Sequence, residues 1–221
     1  MKVLELFAGT RSIGKAFEKA GHQVYSIEID TKHPDIDWYA DINEITDDDI
    51  IQRFGIPDVV WASPPCQSYS VAAIGHHRVK GSNGQLMPKT DFAEKSDRLL
   101  EHTLWLIGRL MGAKEQIEKR RLIYFIENPR AGMRTMECMS VLPRYTVTYC
   151  KYGDERMKPT DIWTNHPDPK FIPPCKNGDP CHVRAPRGTR NGTQGIKGAK
   201  DRARIPEKLC EHIVDICEEI Q

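Results

Sequence analysis

Apolar runs of strand length alternate with stretches of helical period in this chain, and this alternation constrains its fold more than any other feature. Lys2 to Phe7 reads as a strand. A turn follows, Ala8-Gly9-Thr10-Arg11-Ser12-Ile13-Gly14, then a helical pattern to Ala20 that Gly21 closes as a C-cap. His22 to Ile27 is a second strand ending in Glu28-Ile29-Asp30, and Thr46 is placed to cap a short helix through Phe54. Asp58-Val59-Val60-Trp61-Ala62-Ser63 reads as a buried strand. Ser68 to Lys95 is polar, contains glycine and shows no period, so it reads as one long loop. Glu94 to Lys119 is helical, with Leu99, Leu100, Leu104, Ile107, Leu110 and Met111 on one face. Leu122 to Ile126, Tyr145 to Tyr149 and Asp161 to Trp163 are later strands, and Pro167 to Lys200 is irregular. Glu207 to Ile220 is a terminal helix that buries Leu209, Ile213, Ile216 and Ile220. Such alternation predicts an α/β fold, a mostly parallel sheet with helices on both faces.

The 221 residues can bury an ample core, and 39% hydrophobic with 29% charged residues is the composition of a soluble globular protein. No apolar run is long enough to span a bilayer, and Glu5 follows Lys2 too closely for a signal peptide, so no membrane is expected and the location is expected to be cytoplasmic. Seven cysteines are an odd count for a disulfide framework. The net charge of +1 gives no bulk attraction for nucleic acid. The distribution is more telling. Glu28 to Asp49 is acidic, whereas Arg184, Arg187, Arg190, Lys197, Lys200, Arg202 and Arg204 face only Asp201 in their stretch. That basic segment reads either as a phosphate-contact surface or as a solvated charged loop.

Chemistry gathers at the strand ends, where open α/β sheets place their ligands. Pro64-Pro65-Cys66-Gln67 follows the buried strand, and two prolines fix the exit of the chain. A nucleophilic thiolate needs nearby positive charge or free backbone N–H groups; the turn can supply the amides, and Arg78 and Lys80 lie downstream. The alternative is a small buried hydrophobe. The first turn, with Glu28 at the end of the next strand, suits a nucleotide-type cofactor whose ribose hydroxyls would meet that acid, although such turns also simply pack a helix on a strand. Gly9 and Gly14 do not make the dinucleotide fingerprint, which disfavours NAD. Phe125-Ile126-Glu127-Asn128-Pro129 brings a carboxyl group to the same rim, as a catalytic acid or as a cap for a neighbouring loop.

Together these pieces resemble the C5-cytosine DNA methyltransferase family. Leu6-Phe7-Ala8-Gly9-Thr10-Arg11-Ser12-Ile13-Gly14 is similar to the first cofactor motif, Glu28-Ile29-Asp30 to the second, and Ala40-Asp41-Ile42 to the third. Ser63-Pro64-Pro65-Cys66-Gln67-Ser68 matches the nucleophile motif and Glu127-Asn128 the catalytic-acid motif, in the family's order from Lys2 to about Pro129. The resemblance implies a Rossmann-like methyltransferase fold, S-adenosylmethionine as donor, and cytosine in double-stranded DNA as acceptor, flipped out of the helix. It implies Cys66 and Glu127 as catalytic residues. Phe7, Ala8, Gly9, Thr10, Glu28, Ile29, Asp41 and Pro64 would meet the donor. Gln67, Ser68, Asn128, Lys158, Arg187 and Arg190 would meet the substrate. The Ser68–Lys95 loop would close over the base. Other readings are the same chemistry on RNA, an amino-group methyltransferase (opposed by Cys66 where that class has an aromatic residue), and a non-catalytic DNA-binding relative (opposed by the retention of Cys66 and Glu127).

The chain also departs from the pattern. Pro129 stands where the family usually has valine, and the Gln-x-Arg-x-Arg motif would fall at Arg156-Met157-Lys158-Pro159-Thr160, with Thr160 replacing the last arginine. The late Gly-Asn-x-Val-Pro motif is reduced to Arg202-Ala203-Arg204-Ile205-Pro206. The expected organisation is a catalytic core over 1–164, a reduced recognition segment over 165–200 and a C-terminal helix over 201–221 that completes the core. So short a segment predicts a target of about two to four base pairs, or specificity supplied by a partner protein. Cys175, Cys181 and His182, with Cys150 and His166 nearby, have a spacing, Cys-x5-Cys-His, that fits no standard finger. The expectation is reduced cysteines and no metal, with a structural zinc on Cys175, Cys181 and His182 as the alternative.

Overall fold

The computed structural model describes residues 1–82, 84–183 and 203–220. Its centre is a seven-stranded sheet formed by β1 (Lys2–Leu6), β2 (Gln23–Glu28), β3 (Trp38–Tyr39), β4 (Val59–Ala62), β7 (Ile123–Pro129), β8 (Arg144–Thr148) and β9 (Pro159–Thr164). The strand order is β3-β2-β1-β4-β7-β9-β8. The first five neighbours run parallel, while β9 is antiparallel to both β7 and β8. β8 therefore points the same way as β7, and the reversed β9 brings its amino end to the carboxyl ends of the others.

Helices cover both faces. On one face α1 (Ser12–Lys19) and the terminal α6 (Glu207–Glu218) pack Ile13, Phe17, Leu209 and Ile213 against Val3, Trp61 and Phe125. On the other, α4 (Asp91–Ala113) packs Leu100, Leu106, Ile107 and Leu110 against Leu4, Val60 and Ile126, with α2 (Asp47–Arg53) beside it. The strands of the central sheet are buried on both sides, which is why they read as continuous apolar runs. Thr46 caps α2 through a capping box with Asp49, as its position in the sequence predicts. Among the described residues no helix is long and apolar enough to cross a membrane.

Five short elements and two core positions differ from the sequence expectation. Residues 68–95 are not one irregular loop: they hold the short helix α3 (Ile74–His77) and an antiparallel hairpin of β5 (Arg78–Lys80) and β6 (Leu86–Pro88), and α4 begins at Asp91. Three-residue strands are too short to show a period, so the pattern is invisible in the sequence. The two-residue β3 and the one-turn α5 (Glu137–Ser140) escape notice for the same reason. Ile220, expected in the core, lies beyond the end of α6 and is exposed. Leu106, left out of the expected α4 face, is fully buried.

Candidate active site at the carboxyl rim

The sheet register aligns Leu6, Ile27, Ala62 and Ile126 in one row. The next residue of each strand, Phe7, Glu28, Ser63 and Glu127, therefore stands on a common rim. β8 adds Tyr149 just past its end, and Lys158 precedes β9 at the same edge.

The first turn leaves β1 through left-handed backbone at Phe7, Gly9 and Arg11. Arg11 is buried, donates from Nε to Ser26 Oγ at 2.7 Å and pairs with Glu18, which locks the turn to β2. Ala8 N–H donates to the Ile27 carbonyl, and Thr10 and Ser12 share a hydroxyl hydrogen bond. Glu28 Oε2 accepts from the Gly9 amide at 2.9 Å, and its Oε1 accepts from the amides of Ile29 and Asp30. One carboxylate thus clamps two rim loops, and with about four acceptor positions it retains capacity for a hydroxyl. Beside it Ile29 is 63% exposed, an apolar face at the rim. Asp41 caps the turn after β3, its Oδ1 accepting from the Asn43 amide.

Beneath this turn lies an acid that the motifs do not mark. Glu5 is buried in β1, and a Cβ added at Gly14 would stand 2.4 Å from its Oε2. Gly14 is therefore required for the close approach of α1 to β1. Burial raises the Glu5 carboxyl to about 7, against the pull of the Gly14 and Ile13 amides and of Arg11.

Across the rim, Pro64 is buried and Cys66 half-buried, while Gln67 is exposed. Asn128 Nδ2 donates to the Pro64 carbonyl at 2.9 Å and holds the diproline, while the buried Asn128 Oδ1 has no partner among the described residues. The Cys66 carbonyl accepts from the amides of Tyr69 and Ser70, so Cys66 opens a tight turn. Glu127 is 7% exposed, and desolvation raises its carboxyl above the usual range. Opposing that are the charge of Lys158 and hydrogen bonds from the Tyr149 hydroxyl, at 3.1 Å, and from Ser63, which itself accepts from Trp61 Nε1. Burial in turn lowers Lys158, which senses the charges of both Glu127 and Cys66; its ammonium stands 4.4 Å from the Tyr149 ring centroid. A thiol, a carboxyl group and a buried amine thus converge on one edge. Such a set can add a nucleophile to an electron-poor ring and share a proton with it.

The residues of the first four strands carry a recognisable pattern. A family model described as C-5 cytosine-specific DNA methylase matches residues 1–91. Over 240 aligned residues the chain is 30% identical to a probable DNA (cytosine-5)-methyltransferase of Frog virus 3 (isolate Goorha), covering 98% of this chain and 100% of the relative. The chain belongs to the C-5 cytosine-specific DNA methylase family. Solved structures agree in fold. A putative DNA modification methyltransferase encoded within an E. coli prophage superposes with a TM-score of 0.51 at 18% identity, over 74% of this chain and 46% of that one. The Entamoeba histolytica methyltransferase superposes with a TM-score of 0.51 at 12% identity, over 74% and 52%. The chain spans about half the length of these solved structures.

Within this methylase rim, several residues stand elsewhere than the sequence implied. Arg78, expected as a positive charge for the Cys66 thiol, is spent on a different task. Its guanidinium forks onto Asp97 of α4 at 2.6 and 3.1 Å and donates to the Ser68 carbonyl and hydroxyl. Ser68, expected at the substrate, is consequently buried as part of that anchor. Thr160, where the family pattern has arginine, is fully buried and its hydroxyl donates to the Lys158 carbonyl at 3.2 Å. Lys158, two residues earlier, is the cation at the site. His166 is no candidate ligand: Nε2 meets the Ile216 carbonyl at 2.9 Å and Nδ1 accepts from the Asp168 amide. Arg187 and Arg190 lie outside the described residues.

Tyr149 escapes sequence reasoning: it reads as an ordinary strand residue, and only its position at a strand's carboxyl end hints at the rim. Ser63 enters the sequence reading only as the first residue of the nucleophile motif, with no role of its own. Cys150, placed near the candidate zinc set by sequence alone, joins it in space: Cys150, Cys175, Cys181 and His182 offer ligand atoms all within 4.8 Å of one another.

Proposed function

We propose that this methylase transfers a methyl group from S-adenosylmethionine to C5 of cytosine in double-stranded DNA, with Cys66 as nucleophile and Glu127 as the proton-sharing acid. The observation that carries the reading is the convergence of Cys66, Glu127 and Lys158 on the rim where Glu28 clamps the Gly9 turn. The donor fits the residues present. Glu28 has acceptor capacity for the ribose hydroxyls, Ile29 offers an apolar face to the adenine ring, and Asp41 offers a carboxylate to its amino group. Phe7, Ala8, Gly9 and Thr10 would line the turn around it, with Pro64 closing the far side. When bound, the donor supplies an electrophilic methyl group.

The chain's own residues do the rest. Cytosine C5 is a weak nucleophile within an aromatic ring. The Cys66 thiolate adds to C6, forming the S–C6 bond and moving the ring electrons towards N3 and C5. Lys158 stabilises the thiolate beforehand by its charge. Glu127, whose carboxyl burial raises above the usual range, shares a proton with N3 where negative charge collects. Tyr149, Ser63 and Asn128 hold that carboxyl group and the diproline in place. After methylation a base removes the C5 proton, the S–C6 bond breaks, and Cys66 leaves as thiolate. These atoms are unreachable inside a duplex, so the base is flipped out, and Gln67 is exposed beside the nucleophile to meet it.

The test is direct. Incubate the protein with labelled S-adenosylmethionine and either duplex DNA or RNA, digest to nucleosides and identify the labelled product. Label in 5-methyldeoxycytidine is expected. Label confined to RNA, to an amino group, or absent from both nucleic acids would reject the proposal.

A further inference from the structure

We propose that Cys150, Cys175, Cys181 and His182 bind one structural zinc ion that pins residues 171–183 to the end of β8. The four residues come from three places in the chain. Cys150 lies in the 3-10 turn Tyr149–Tyr152 that follows β8. Cys175 is brought to it by a hydrogen bond from its amide to Thr148 Oγ1 at 3.0 Å. Cys181 and His182 follow a turn closed between Lys176 and Asp179, and the next amide, Val183, donates to the Glu155 carbonyl.

Distances match a tetrahedral site. The thiols of Cys150 and Cys175 are 3.2 Å apart and those of Cys181 and Cys150 3.6 Å; His182 Nδ1 is 3.7 Å from both Cys175 and Cys181. Zinc–sulfur and zinc–nitrogen bonds of about 2.3 and 2.0 Å require edges of about 3.8 Å between thiolates and about 3.5 Å from thiolate to imidazole. Of these four edges the Cys150–Cys175 pair departs most and would need to open by about half an ångström. Three sulfurs and one nitrogen are a soft, tetrahedral set that suits zinc rather than calcium or magnesium. On binding, the three thiols release three protons to solvent, and His182 coordinates as neutral imidazole through Nδ1.

A second observation calls for such a staple. In residues 171–183 only Cys175 is buried, and the described residues there form no helix or strand. Burial of one cysteine and the partial burial of Phe171 offset little of the entropy of ordering thirteen residues, at about 1–2 kcal/mol each. A disulfide would engage two sulfurs and leave a third thiol and an imidazole converging on the same point. Coordination uses all four. The site begins one residue after Tyr149, which touches Glu127, and ends two residues before the undescribed basic stretch. It would therefore fix the first half of the expected recognition segment, 165–200, against the core.

The experiment uses the full chain purified with reductant and without chelator. Native mass spectrometry and elemental analysis should find one zinc per chain. Replacement by cobalt(II) should give intense visible ligand-field bands of a tetrahedral site and sulfur-to-cobalt charge transfer for three thiolates. Cys181→Ser and His182→Ala, at half-buried positions, should each weaken zinc at least tenfold in competition with a chelator, whereas Cys138→Ser should not. A metal-free chain that takes up no zinc when an equivalent is added would overturn the proposal. So would a weak, octahedral cobalt spectrum, or a Cys150–Cys175 disulfide in zinc-free protein isolated without oxidant. Each readout is independent of methyl transfer, so failure here and failure of the proposed activity are distinguishable.

Discussion

Desolvation raises a buried carboxyl group above its ordinary range unless charges and hydrogen bonds offset it, and in this methylase Glu127 and Glu5 are both raised, to different ends. Glu127 sits at the rim with Tyr149, Ser63 and Lys158 around it. Glu127→Gln keeps the shape but cannot share a proton, and turnover should fall by about two or more orders of magnitude. A loss below about threefold would make Glu127 structural. Tyr149→Phe removes a donor that favours the charged form, so the Glu127 carboxyl should rise further. If the neutral acid is the working form, the alkaline limb of the kcat–pH profile moves to higher pH; a shift the other way would contradict this role. Cys66→Ser should abolish transfer with fold and donor affinity intact, read by calorimetry alongside the activity assay, and duplexes carrying 5-fluorocytosine should trap the wild-type chain covalently. Glu5 has no such role and only costs stability. Its folded value of about 7 lies above the ordinary 4.5, so the native state binds the proton more tightly. Stability from this group is complete below about 4.5 and falls as pH rises towards 7, by an amount on the order of 3 kcal/mol. Glu5→Gln should flatten that decline in urea melts taken from pH 5 to 8; a decline as steep as that of the wild type would show that another group causes it.

At the scale of elements, the segment after Cys66 is held by polar contacts more than by apolar burial. Arg78 is fully buried and bridges Asp97 of α4, the Ser68 carbonyl and hydroxyl, and the Tyr69 ring; the Tyr69 hydroxyl also donates to Asp97. Gly132 allows the segment to sit close: a Cβ there would stand 2.7 Å from Ile74 Cδ1 and 3.1 Å from the Tyr69 carbonyl, and the Gly132 amide donates to that carbonyl. Arg78→Ala would leave the half-buried Asp97 without its cation, a change of at most about 3–5 kcal/mol when the structure cannot relax. Here the segment can open locally. We expect hydrogen exchange in residues 68–90 to rise by orders of magnitude while α1, α4 and α6 keep their protection, together with a loss of turnover because Cys66 opens that segment. Uniform loss of protection across the chain would show instead that the anchor holds the whole fold.

For the molecule as a whole, a net charge of +1 gives no general attraction to a polyanion, so DNA affinity must come from local charge. The proposed source is the basic stretch that contains Arg187 and Arg190. Each phosphate contact should contribute about −0.9 to the slope of log affinity against log salt concentration. Replacing Arg187 and Arg190 by alanine should therefore weaken binding on every duplex sequence and flatten the slope by about two in anisotropy titrations. An unchanged slope would place the phosphate contacts elsewhere. Modified DNA sequenced after incubation with the purified chain should show a short target of about two to four base pairs; a site of six or more defined pairs would contradict so small a reading surface.

What could be read from the sequence was whatever is local. Helix ends followed from Thr46 and Gly21, buried strands from continuous apolar runs, and the rim from strand–turn–helix order with Gly9, Glu28, Cys66 and Glu127 at successive strand ends. Each of these depends on neighbours a few residues apart, where periodicity and capping operate. Tertiary structure decided whatever depends on pairing across the chain. Inserting the reversed β9 between β7 and β8 brings Lys158 and Tyr149 to Glu127, and no short pattern announces that insertion. The fork of Arg78 onto Asp97 turned an expected activator of the thiol into an anchor. Cys150 meets Cys175 and Cys181 where the turn after β8 and an irregular segment 25 residues further on are joined by hydrogen bonds at Thr148 and Tyr152. Spacing along the chain carries no record of such meetings; the sheet's strand order creates them.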